Sequence, residues 1–399
     1  MLKRKWALAW MGVSLMALTA CGGGGGGGGT GGTASGSPIK LGGWNALTGP
    51  IAVHGLAQKA GGDAYWKFLN DHGGIKGRPV EWAVEDNAYD PQKTVAAAHV
   101  LIDQDNVLAI VAANGTSQTA ATFPYVLDQA QVPIINTYGG AADWYTPPKP
   151  LLFGLQTTYE DQAKVLGKWA AKDGYKNILV IHSDPAAFVN VANNVPPAVK
   201  TVNPSATVQD LSVKFNTTDY APIVLQVKDK KPDAVIAILA TGELVAYLKQ
   251  AAQQGLKTGV YTYAPNASAD VIRLAGADAE GLKSEAWTLP PDDTANAAVK
   301  EFTTAMAKYE PSVTPDYESL FMWAMCRVTA AALAKINGTI DKDSIASAVQ
   351  GLSSYDPGVM PTVGYSATKH LGNDQIQRVQ LTGGKWATVG TFVSASSNF

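Results

Sequence analysis

Short apolar runs alternate with amphipathic segments from Pro38 onward, and no other feature of the 399-residue chain restricts the fold as strongly. The runs are four to six residues long and rich in β-branched residues, which is typical of buried parallel strands. They lie at 39–44, 80–84, 107–112, 132–135, 178–181 and 234–239. Helical patterns lie near 55–72, 91–104, 117–130, 158–173, 187–200, 218–230 and 242–254. This alternation predicts an α/β fold with parallel sheets and helices on both faces.

The number of strand–helix units predicts two Rossmann-like lobes rather than one sheet. At about 100–200 residues per domain, the length also favours two domains. The break between them is expected near 156–160. Further along, helices are predicted near 294–310 and 317–336, and the runs 376–381 and 386–392 flank Thr382-Gly383-Gly384-Lys385, which predicts a β-hairpin.

The N-terminus has the pattern of an export signal. Three basic residues at 3–5 precede an uncharged run at 6–20, which is short for a membrane span and suits a signal peptide at 1–20. The run ends in Leu18-Thr19-Ala20-Cys21, which resembles a bacterial lipobox and predicts lipidation of Cys21. The alternative is an ordinary signal with a chance cysteine. Residues 21–37 are rich in glycine and predict a disordered tether.

Several function classes lack support in the sequence. Lys plus Arg (31) and Asp plus Glu (33) nearly cancel, and no basic cluster outside the N-terminus favours a nucleic-acid partner. Two cysteines cannot form a Cys-based zinc site, and the five histidines are far apart in sequence. No nucleophile elbow, metalloprotease motif or P-loop is present. We therefore predict a protein that is not an enzyme and needs no metal or cofactor.

Several motifs together resemble the leucine/isoleucine/valine-binding family of ABC-importer solute-binding proteins, which has the type I periplasmic-binding fold. They are Leu47-Thr48-Gly49-Pro50, the turn Asn70-Asp71-His72-Gly73-Gly74-Ile75-Lys76-Gly77, the strand end Glu85-Asp86-Asn87 and the helix end Gln253-Gln254-Gly255-Leu256-Lys257. The resemblance implies two discontinuous lobes joined by a multi-strand hinge. The first lobe would comprise 38–156 plus 288–352, and the second 157–287 plus 353–399.

Two loops at predicted strand ends are candidate ligand sites, because open α/β sheets bind ligands outside the carboxyl ends of their strands. Backbone N–H groups at the start of a helix suit a carboxylate, and glycines permit close backbone approach. The alternatives are a simple helix N-cap for the first loop and an ordinary turn for the second. Both loops also match ligand loops of the family. The candidates are Asn114, Gly115, Thr116 and Ser117 in the first loop and Tyr138, Gly139 and Gly140 in the second.

The resemblance adds positions from other parts of the chain. His54 lies where the family has a tyrosine over the ligand, Phe188 where an aromatic residue caps it, and Ala240 and Thr241 at a cleft-facing strand end. Ala264 lies where the family has the acidic residue that pairs with the ammonium group of an amino acid.

Alanine at position 264 counts against an α-amino acid ligand, because a buried unpaired ammonium group costs several kcal/mol. Asp86 or Glu243 could supply the charge from elsewhere. Aromatic residues near the cleft loops favour an apolar carboxylate as a rival ligand. These residues are Trp44, Tyr89, Tyr138, Trp144, Tyr145 and Phe188, together with His54.

The sequence and the resemblance together predict an extracytoplasmic solute-binding protein. It would be a lipid-anchored monomer on the periplasmic or extracellular face of the membrane, delivering a small amino acid or another carboxylated or polar solute to an ABC permease. The first alternative is a sensory ligand-binding subunit for a membrane receptor, with an aromatic or amide-type ligand. A hydrolase on the same scaffold ranks third.

Overall fold

A computed structural model describes residues 34–399. The signal peptide predicted at 1–20, the lipidation predicted at Cys21 and the tether up to residue 33 lie outside the described residues. Among residues 34–399, no helix combines the length and apolar character needed to cross a membrane.

The end of the predicted tether is ordered, which corrects the expectation of disorder up to residue 37. The N–H group of Ala34 donates to the carbonyl of Asn70 at 3.1 Å. The N–H groups of Ser35 and Gly36 donate to the carbonyl of Gly77 at 3.1 and 2.9 Å. These backbone hydrogen bonds hold the segment against the turn after the first helix, although Ala34 has the only apolar side chain between residues 34 and 37.

The first lobe contains a five-stranded sheet in which all neighbouring strands are parallel, with the order β2-β1-β3-β4-β5. Its strands are β1 (Ile39–Asn45), β2 (Val80–Asp86), β3 (Ile110–Val111), β4 (Ile134–Thr137) and β5 (Leu152–Gly154). The helices between them are α1 (Ala52–Asp71), α2 (Pro91–His99) and α3 (Thr116–Phe123). Asp90 caps α2 by accepting from two backbone N–H groups, with Pro91 at the first helical position, as expected for an Asp-Pro start.

The second lobe contains an eight-stranded sheet with the path β12-β11-β10-β9-β8-β6-β7 and β13 paired to β11. Its strands are β6 (Asn177–Ser183), β7 (Thr207–Val213), β8 (Ala234–Ile238), β9 (Gly259–Thr262), β10 (Lys283–Ala286), β11 (Gln375–Thr382), β12 (Lys385–Thr388) and β13 (Val393–Ser394). Its helices are α4 (Tyr159–Lys172), α5 (Ala186–Val202), α6 (Ala221–Asp229), α7 (Thr241–Gln253) and α8 (Ala269–Ala275). Strands β6 to β10 form a parallel core, and β11 and β12 form the antiparallel hairpin predicted from the sequence.

After β10 the chain returns to the first lobe with α9 (Ala297–Tyr309), α10 (Tyr317–Leu333) and α11 (Lys342–Gln350). These helices share one hydrophobic core with strands of the first sheet. Helix α10 lies so close to α1 that a Cβ atom added to Gly61 would lie 2.0 Å from the carbonyl oxygen of Ser319. The first lobe is thus made from two distant parts of the chain, while the lobe boundaries given above stay a prediction.

The two-lobe α/β fold with parallel sheets is confirmed, but individual elements differ from the sequence prediction. The run 107–112 forms a strand of only two residues, Ile110–Val111, which ends where Ala112, with a φ of +58°, leaves the extended conformation. The helices predicted at 91–104 and 117–130 both widen into π-helical turns at Val100–Gln104 and Pro124–Gln129. Strands β5, β7, β9, β10 and β13 and helices α8 and α11 were not predicted.

Candidate functional site

A small cavity of about 50 Å³ lies where the carboxyl ends of strands from both sheets meet. The loops after β3 and β4 reach it from the first lobe, and those after β6, β8 and β9 reach it from the second. Ligands of open α/β sheets bind at such an edge. The wall residues of the cavity are Ile51, His54, Gln58, Tyr89, Asn114, Gly115, Tyr138, Tyr159, Ala187, Phe188, Ala240, Tyr263 and Pro265.

Aromatic side chains dominate this wall: Tyr89, Tyr138, Tyr159, Phe188 and Tyr263. Burial raises the pKa of each of the four tyrosines above its ordinary value of 10.0. The phenols therefore stay neutral at physiological pH and present ring faces and hydroxyl groups to a ligand. Such a wall suits a solute with an apolar part and a few polar groups.

Tyr89 is held in the left-handed backbone region, with a φ of +58°. Its N–H group donates to Asn87 Oδ1 at 3.0 Å, and its carbonyl accepts from Gln118 Nε2 at 2.8 Å. A non-glycine residue in this region is held there by its surroundings, at a cost of the order of 1–3 kcal/mol. The two hydrogen bonds fix the loop that places the Tyr89 ring against the cavity.

A buried carboxylate, Glu318 of α10, lies behind the first-lobe wall. Tyr138 Oη donates to both Glu318 oxygens at 2.7 Å, and Gln58 Nε2 donates to Oε2 at 2.7 Å. His54 Nδ1 lies 3.5 Å from Oε1. Asn114 Nδ2 donates in turn to Gln58 Oε1 at 2.7 Å. One acidic side chain thus contacts three wall residues and reaches a fourth through Gln58.

His54 connects the two lobes through Thr241, with its Nε2 2.7 Å from Thr241 Oγ1. Asn266 Nδ2 donates to the carbonyl of Leu239 and to Thr262 Oγ1, at 2.9 and 2.8 Å. Its Oδ1 therefore faces Thr241 and accepts the hydroxyl proton of Thr241 at 2.8 Å. Because that proton is committed to Asn266, His54 Nε2 must be the donor to Thr241.

The other ring nitrogen of His54 faces Glu318, and this arrangement favours the doubly protonated imidazolium. Burial opposes the protonation of His54, but the hydrogen bond to Glu318 and the negative charge of Glu318 act against it, with Asp316 and Asp270 adding smaller effects. The net result is a pKa raised above the ordinary 6.5. The imidazolium can donate to both lobes at once, whereas a neutral ring can donate to only one of them.

A second set of hydrogen bonds also joins the two lobes beside the cavity. The hydroxyl groups of Thr116 and Tyr159 lie 2.8 Å apart, and the N–H group of Tyr159 donates to the carbonyl of Gly140 at 2.8 Å. Tyr159 begins α4 of the second lobe, whereas Thr116 and Gly140 belong to the first lobe. Hydrogen bonds therefore join the lobes at two places around the cavity, and we describe this arrangement as closed.

The structure places the predicted site residues in three groups. The wall itself contains His54, Asn114, Gly115, Tyr138, Phe188 and Ala240. Thr116 and Thr241 lie behind it and contact wall residues. The remaining predicted residues, which are Ser117, Gly139, Gly140 and Ala264, are not part of the wall.

The two glycines have a packing reason of their own. A Cβ atom on Gly139 would lie 2.8 Å from the Trp144 ring, and one on Gly140 would lie 2.7 Å from Gln156 Nε2. Ala264 is buried within a 3₁₀ turn, while its neighbours Tyr263 and Pro265 form wall.

The two acids considered as substitutes at this site have structural roles instead, which corrects that expectation. Asp86 accepts from the N–H groups of Leu47 and Thr48 and holds the first turn. Glu243 accepts from the N–H groups of Asn216 and Ala240 within the second lobe. Neither lines the cavity. Of the aromatic residues considered near the cleft, Trp44, Trp144 and Tyr145 belong to the core of the first lobe.

The sequence reasoning missed Gln58, Tyr159, Tyr263 and Glu318, and two of them left a signal. Gln58 lies four residues after His54, so both project from the same face of α1. Glu318 is an acid that directly precedes the apolar run of α10, where an unpaired charge would be costly. Tyr159 and Tyr263 had no distinguishing pattern.

Comparison with known proteins agrees with this geometry. The family model described as "Periplasmic binding protein" matches residues 38–385. The chain belongs to this family. It is a family of binding proteins and not of enzymes, and within residues 34–399 no cluster of three or more His, Cys, Asp or Glu side chains could hold a metal ion.

Relatives and solved structures cover most of the chain. The Leu/Ile/Val-binding protein homolog 1 of Brucella abortus is 25% identical over 348 residues, which cover 85% of this chain and 86% of the relative. A branched chain amino acid ABC transporter structure from Thermus thermophilus with bound valine superposes with a TM-score of 0.83 at 16% identity, covering 92% of this chain and 98% of the other. The fatty acid ABC transporter substrate-binding protein from Thermomonospora curvata has a TM-score of 0.81 at 18% identity, covering 92% and 96%. These two proteins share one fold but have different ligands, so the fold does not identify the solute of this chain. The solute must be inferred from the cavity.

Proposed function

We propose that this protein captures a small carboxylated or polar solute between its two lobes and delivers it to the permease of an ABC importer. The observation that carries this proposal is the cavity at the strand ends, which is walled by both lobes and bridged by the contacts of His54 with Thr241 and of Thr116 with Tyr159. A ligand that contacts both lobes favours the closed form by its differential affinity for that form. The named relatives of the family, with branched-chain amino acid and fatty acid ligands, support a carboxylate.

The ligand carboxylate is proposed to lie at the start of α3. The first N–H groups of a helix have no partner within it, and the helix dipole adds partial positive charge there. Gly115 forms part of the wall immediately before α3, and Thr116 and Ser117 begin the helix. Ser117, Gly139 and Gly140 stay in the proposed site as loop positions near this carboxylate, without a wall contact in the closed structure.

A ligand screen tests the proposal. Melting temperatures of residues 34–399 are measured with a panel of amino acids, hydroxy acids, aliphatic and aromatic carboxylates, amides and urea, followed by calorimetry of each compound that raises the melting temperature. A ligand at 100 times its Kd should stabilise by about 2.7 kcal/mol.

The matched control is Ala240→Phe, which would fill the cavity with a ring. We expect this variant to fold and to lose the ligand-induced rise. If no compound of any class stabilises the wild type, or if a compound stabilises Ala240→Phe equally, the cavity is not the binding site.

We also propose that Cys21 carries the lipid anchor and that the protein acts as a monomer at the membrane surface. The lipobox-like Leu18-Thr19-Ala20-Cys21 supports the anchor. Labelling of cells with radioactive palmitate should mark the full chain, and Cys21→Ser should abolish the label. A soluble wild-type protein without label would contradict the proposal.

A further inference from the structure

A second cavity, of about 580 Å³, shares no wall residue with the cavity at the strand ends. In the first lobe its wall comes from the start of α1 and the loop before α10. In the second lobe its wall comes from α8 and the hairpin of β11 and β12. The volume lies within the range of about 300–1,000 Å³ that is usual for sites of small molecules. The second cavity is therefore large enough for a ligand of its own.

The wall of the second cavity has a large apolar part. Four large apolar side chains are exposed among residues 34–399, and two of them, Leu56 (52%) and Val53 (39%), belong to this wall. Trp386 of β12 and Tyr317 of α10 add aromatic rings from opposite lobes. Adjoining apolar side chains in a concave surface mark a place where an apolar group can bind.

The charged residues of this wall leave an excess of negative charge. Arg273 Nε donates to Asp270 Oδ1 at 3.0 Å, so these two charges compensate each other. Asp292 and Asp316 remain, against the single positive charge of Lys385, which is exposed in the turn of the hairpin. The balance of charge therefore favours a cation over an anion in the second cavity.

Asp316 has a carboxylate oxygen that is free to bind a ligand. The residue is 7% exposed and caps α10, with the N–H group and the hydroxyl group of Ser319 both donating to Oδ1, at 2.9 Å each. Oδ2 accepts no hydrogen bond from any residue of the described range 34–399. Burial raises the pKa of Asp316 to about 6, so the carboxylate is charged at neutral pH. A nearly buried charged oxygen is stabilised when a donor reaches it.

Tyr317 adds a second polar atom without a partner. Its side chain is 3% exposed, and its Oη is buried with no hydrogen-bond partner in the part of the chain that the structure describes. Burial, with a smaller effect from the negative charge of Asp292, raises the pKa of Tyr317 above its ordinary value, so the phenol stays neutral. Its oxygen can accept from an N–H group, and the face of its ring attracts positive charge.

We propose that the second cavity binds a small organic cation, a primary amine or a guanidinium joined to an apolar group. The cationic N–H groups donate to Asp316 Oδ2 and Tyr317 Oη, and the apolar group packs against Leu56, Val53 and Trp386. A neutral molecule of the same shape leaves the charge of Asp316 without a counter-charge. The site is independent of the solute proposed for the first cavity.

The test compares probes that share one carbon skeleton and differ only in their polar group. The probes are the phenylalkylamines from benzylamine to 4-phenylbutylamine, each with the corresponding alcohol and carboxylate. Isothermal titration calorimetry at neutral pH measures their binding to residues 21–399, the chain without its predicted signal peptide. The best amine should bind at least about tenfold more tightly than its alcohol, as expected for a charge-assisted hydrogen bond, and the carboxylate should bind most weakly.

A pair of aspartate variants separates the contact from the capping of a helix. Asp316→Asn keeps the Oδ1 acceptor that caps α10 and removes the charge, so the ratio between amine and alcohol should fall to about one. Asp341→Asn is the matched control, because Asp341 caps α11 in the same way, accepting from the N–H group of Ser344 at 2.9 Å, and lies outside the wall. In this control the ratio should stay that of the wild type.

Two further variants test the hydroxyl group and the location. Tyr317→Phe removes a group that has no partner in the described chain, so it should not lower the melting temperature, and it should weaken the amine by about threefold or more. It keeps the proposal testable if Asp316→Asn does not fold. Ala240→Phe fills the first cavity and should leave the affinity for the amine unchanged.

Three outcomes would overturn the inference. The first is an amine that binds no more tightly than its alcohol, which includes the absence of binding by every probe. The second is a preference for the amine that persists in Asp316→Asn or, if that variant does not fold, an unchanged affinity for the amine in Tyr317→Phe. The third is loss of amine binding in Ala240→Phe, which would place the amine in the first cavity.

Discussion

Removal of the hydrogen bond between His54 and Thr241 should show how much this contact contributes to the closure of the lobes on a ligand. Thr241→Val removes the hydroxyl group with little change of shape at a residue that is 2% exposed. In the closed form, His54 Nε2 would lose its acceptor, now 2.7 Å away, and Asn266 Oδ1 would lose its donor at 2.8 Å. The first loss occurs only when the lobes meet, whereas Thr241 and Asn266 both belong to the second lobe.

The part of this loss that depends on closure is therefore a single buried donor, His54 Nε2, which is left without an acceptor. Such a group costs about 1–3 kcal/mol, and more when it is charged. Since 1.4 kcal/mol corresponds to a tenfold change in Kd, Thr241→Val should weaken ligand binding by roughly 5- to 150-fold. Thr241→Ser keeps the hydroxyl and should stay within a few-fold of the wild type.

Isothermal titration calorimetry with the tightest ligand of the screen measures both variants, and small-angle scattering reports whether the ligand still compacts them. The reasoning would be refuted if Thr241→Val bound within twofold of the wild type. It would also be refuted if the valine and serine variants were equally weak, because shape rather than the hydrogen bond would then control closure.

Three further results follow from packing and charge. In a chemical denaturation assay, Gly61→Ala should lower the free energy of unfolding by about 1–3 kcal/mol or more, because the added Cβ atom would collide with a carbonyl group of α10. Gly242→Ala is the control: it has open space around it and should be neutral or slightly stabilising. Because the pKa of His54 is raised in the folded protein, its contribution to stability is complete below about pH 6.5 and is lost as the pH rises through the folded pKa. The difference in unfolding free energy between wild type and His54→Gln should therefore shrink from pH 6 to pH 9. A difference that stays constant over this range would contradict the prediction. Burial raises the pKa of the Cys326 thiol well above its ordinary value, so in a chain of residues 34–399 a thiol reagent should label Cys326 only after denaturation, and rapid labelling of the native protein would show that α10 opens.

A strand could be predicted from the sequence where its apolar run coincides with a fully buried position in the sheet. Strands β1, β6 and β8 are almost continuously buried, so their apolar runs were visible in the sequence. Strand β7 lies at an edge of its sheet and is mostly partly exposed, so its sequence carries polar residues and no such run. The sequence shows that Pro124 has no N–H group to donate to the preceding turn. The π-helical turn that begins at Pro124 also depends on the packing around it, so it could not be predicted from the sequence.

The site could be predicted in part for the same reason. Asn114 and Tyr138 follow strand ends, and the rule that ligands bind there is independent of the rest of the chain. Glu318 could not be placed, because its contact with Gln58 joins residues 260 positions apart. The sequence reasoning at Ala264 looked for a charge on the second lobe, whereas Glu318, the carboxylate that contacts three wall residues, comes from the first.

The packing of α10 against α1 has a consequence for how the protein is made. Synthesis proceeds from the N-terminus, so α1 and the first sheet leave the ribosome long before residues 317–333 exist. Until then the apolar face that α10 will cover stays open, and the long intervening chain adds to the entropy that must be lost when the contact forms. We expect a chaperone to bind the exported chain while this apolar face is uncovered. A chain stopped after the second lobe's parallel strands would contain every wall residue and still lack Glu318, which contacts three of them, so the cavity wall is complete only after α10 has folded.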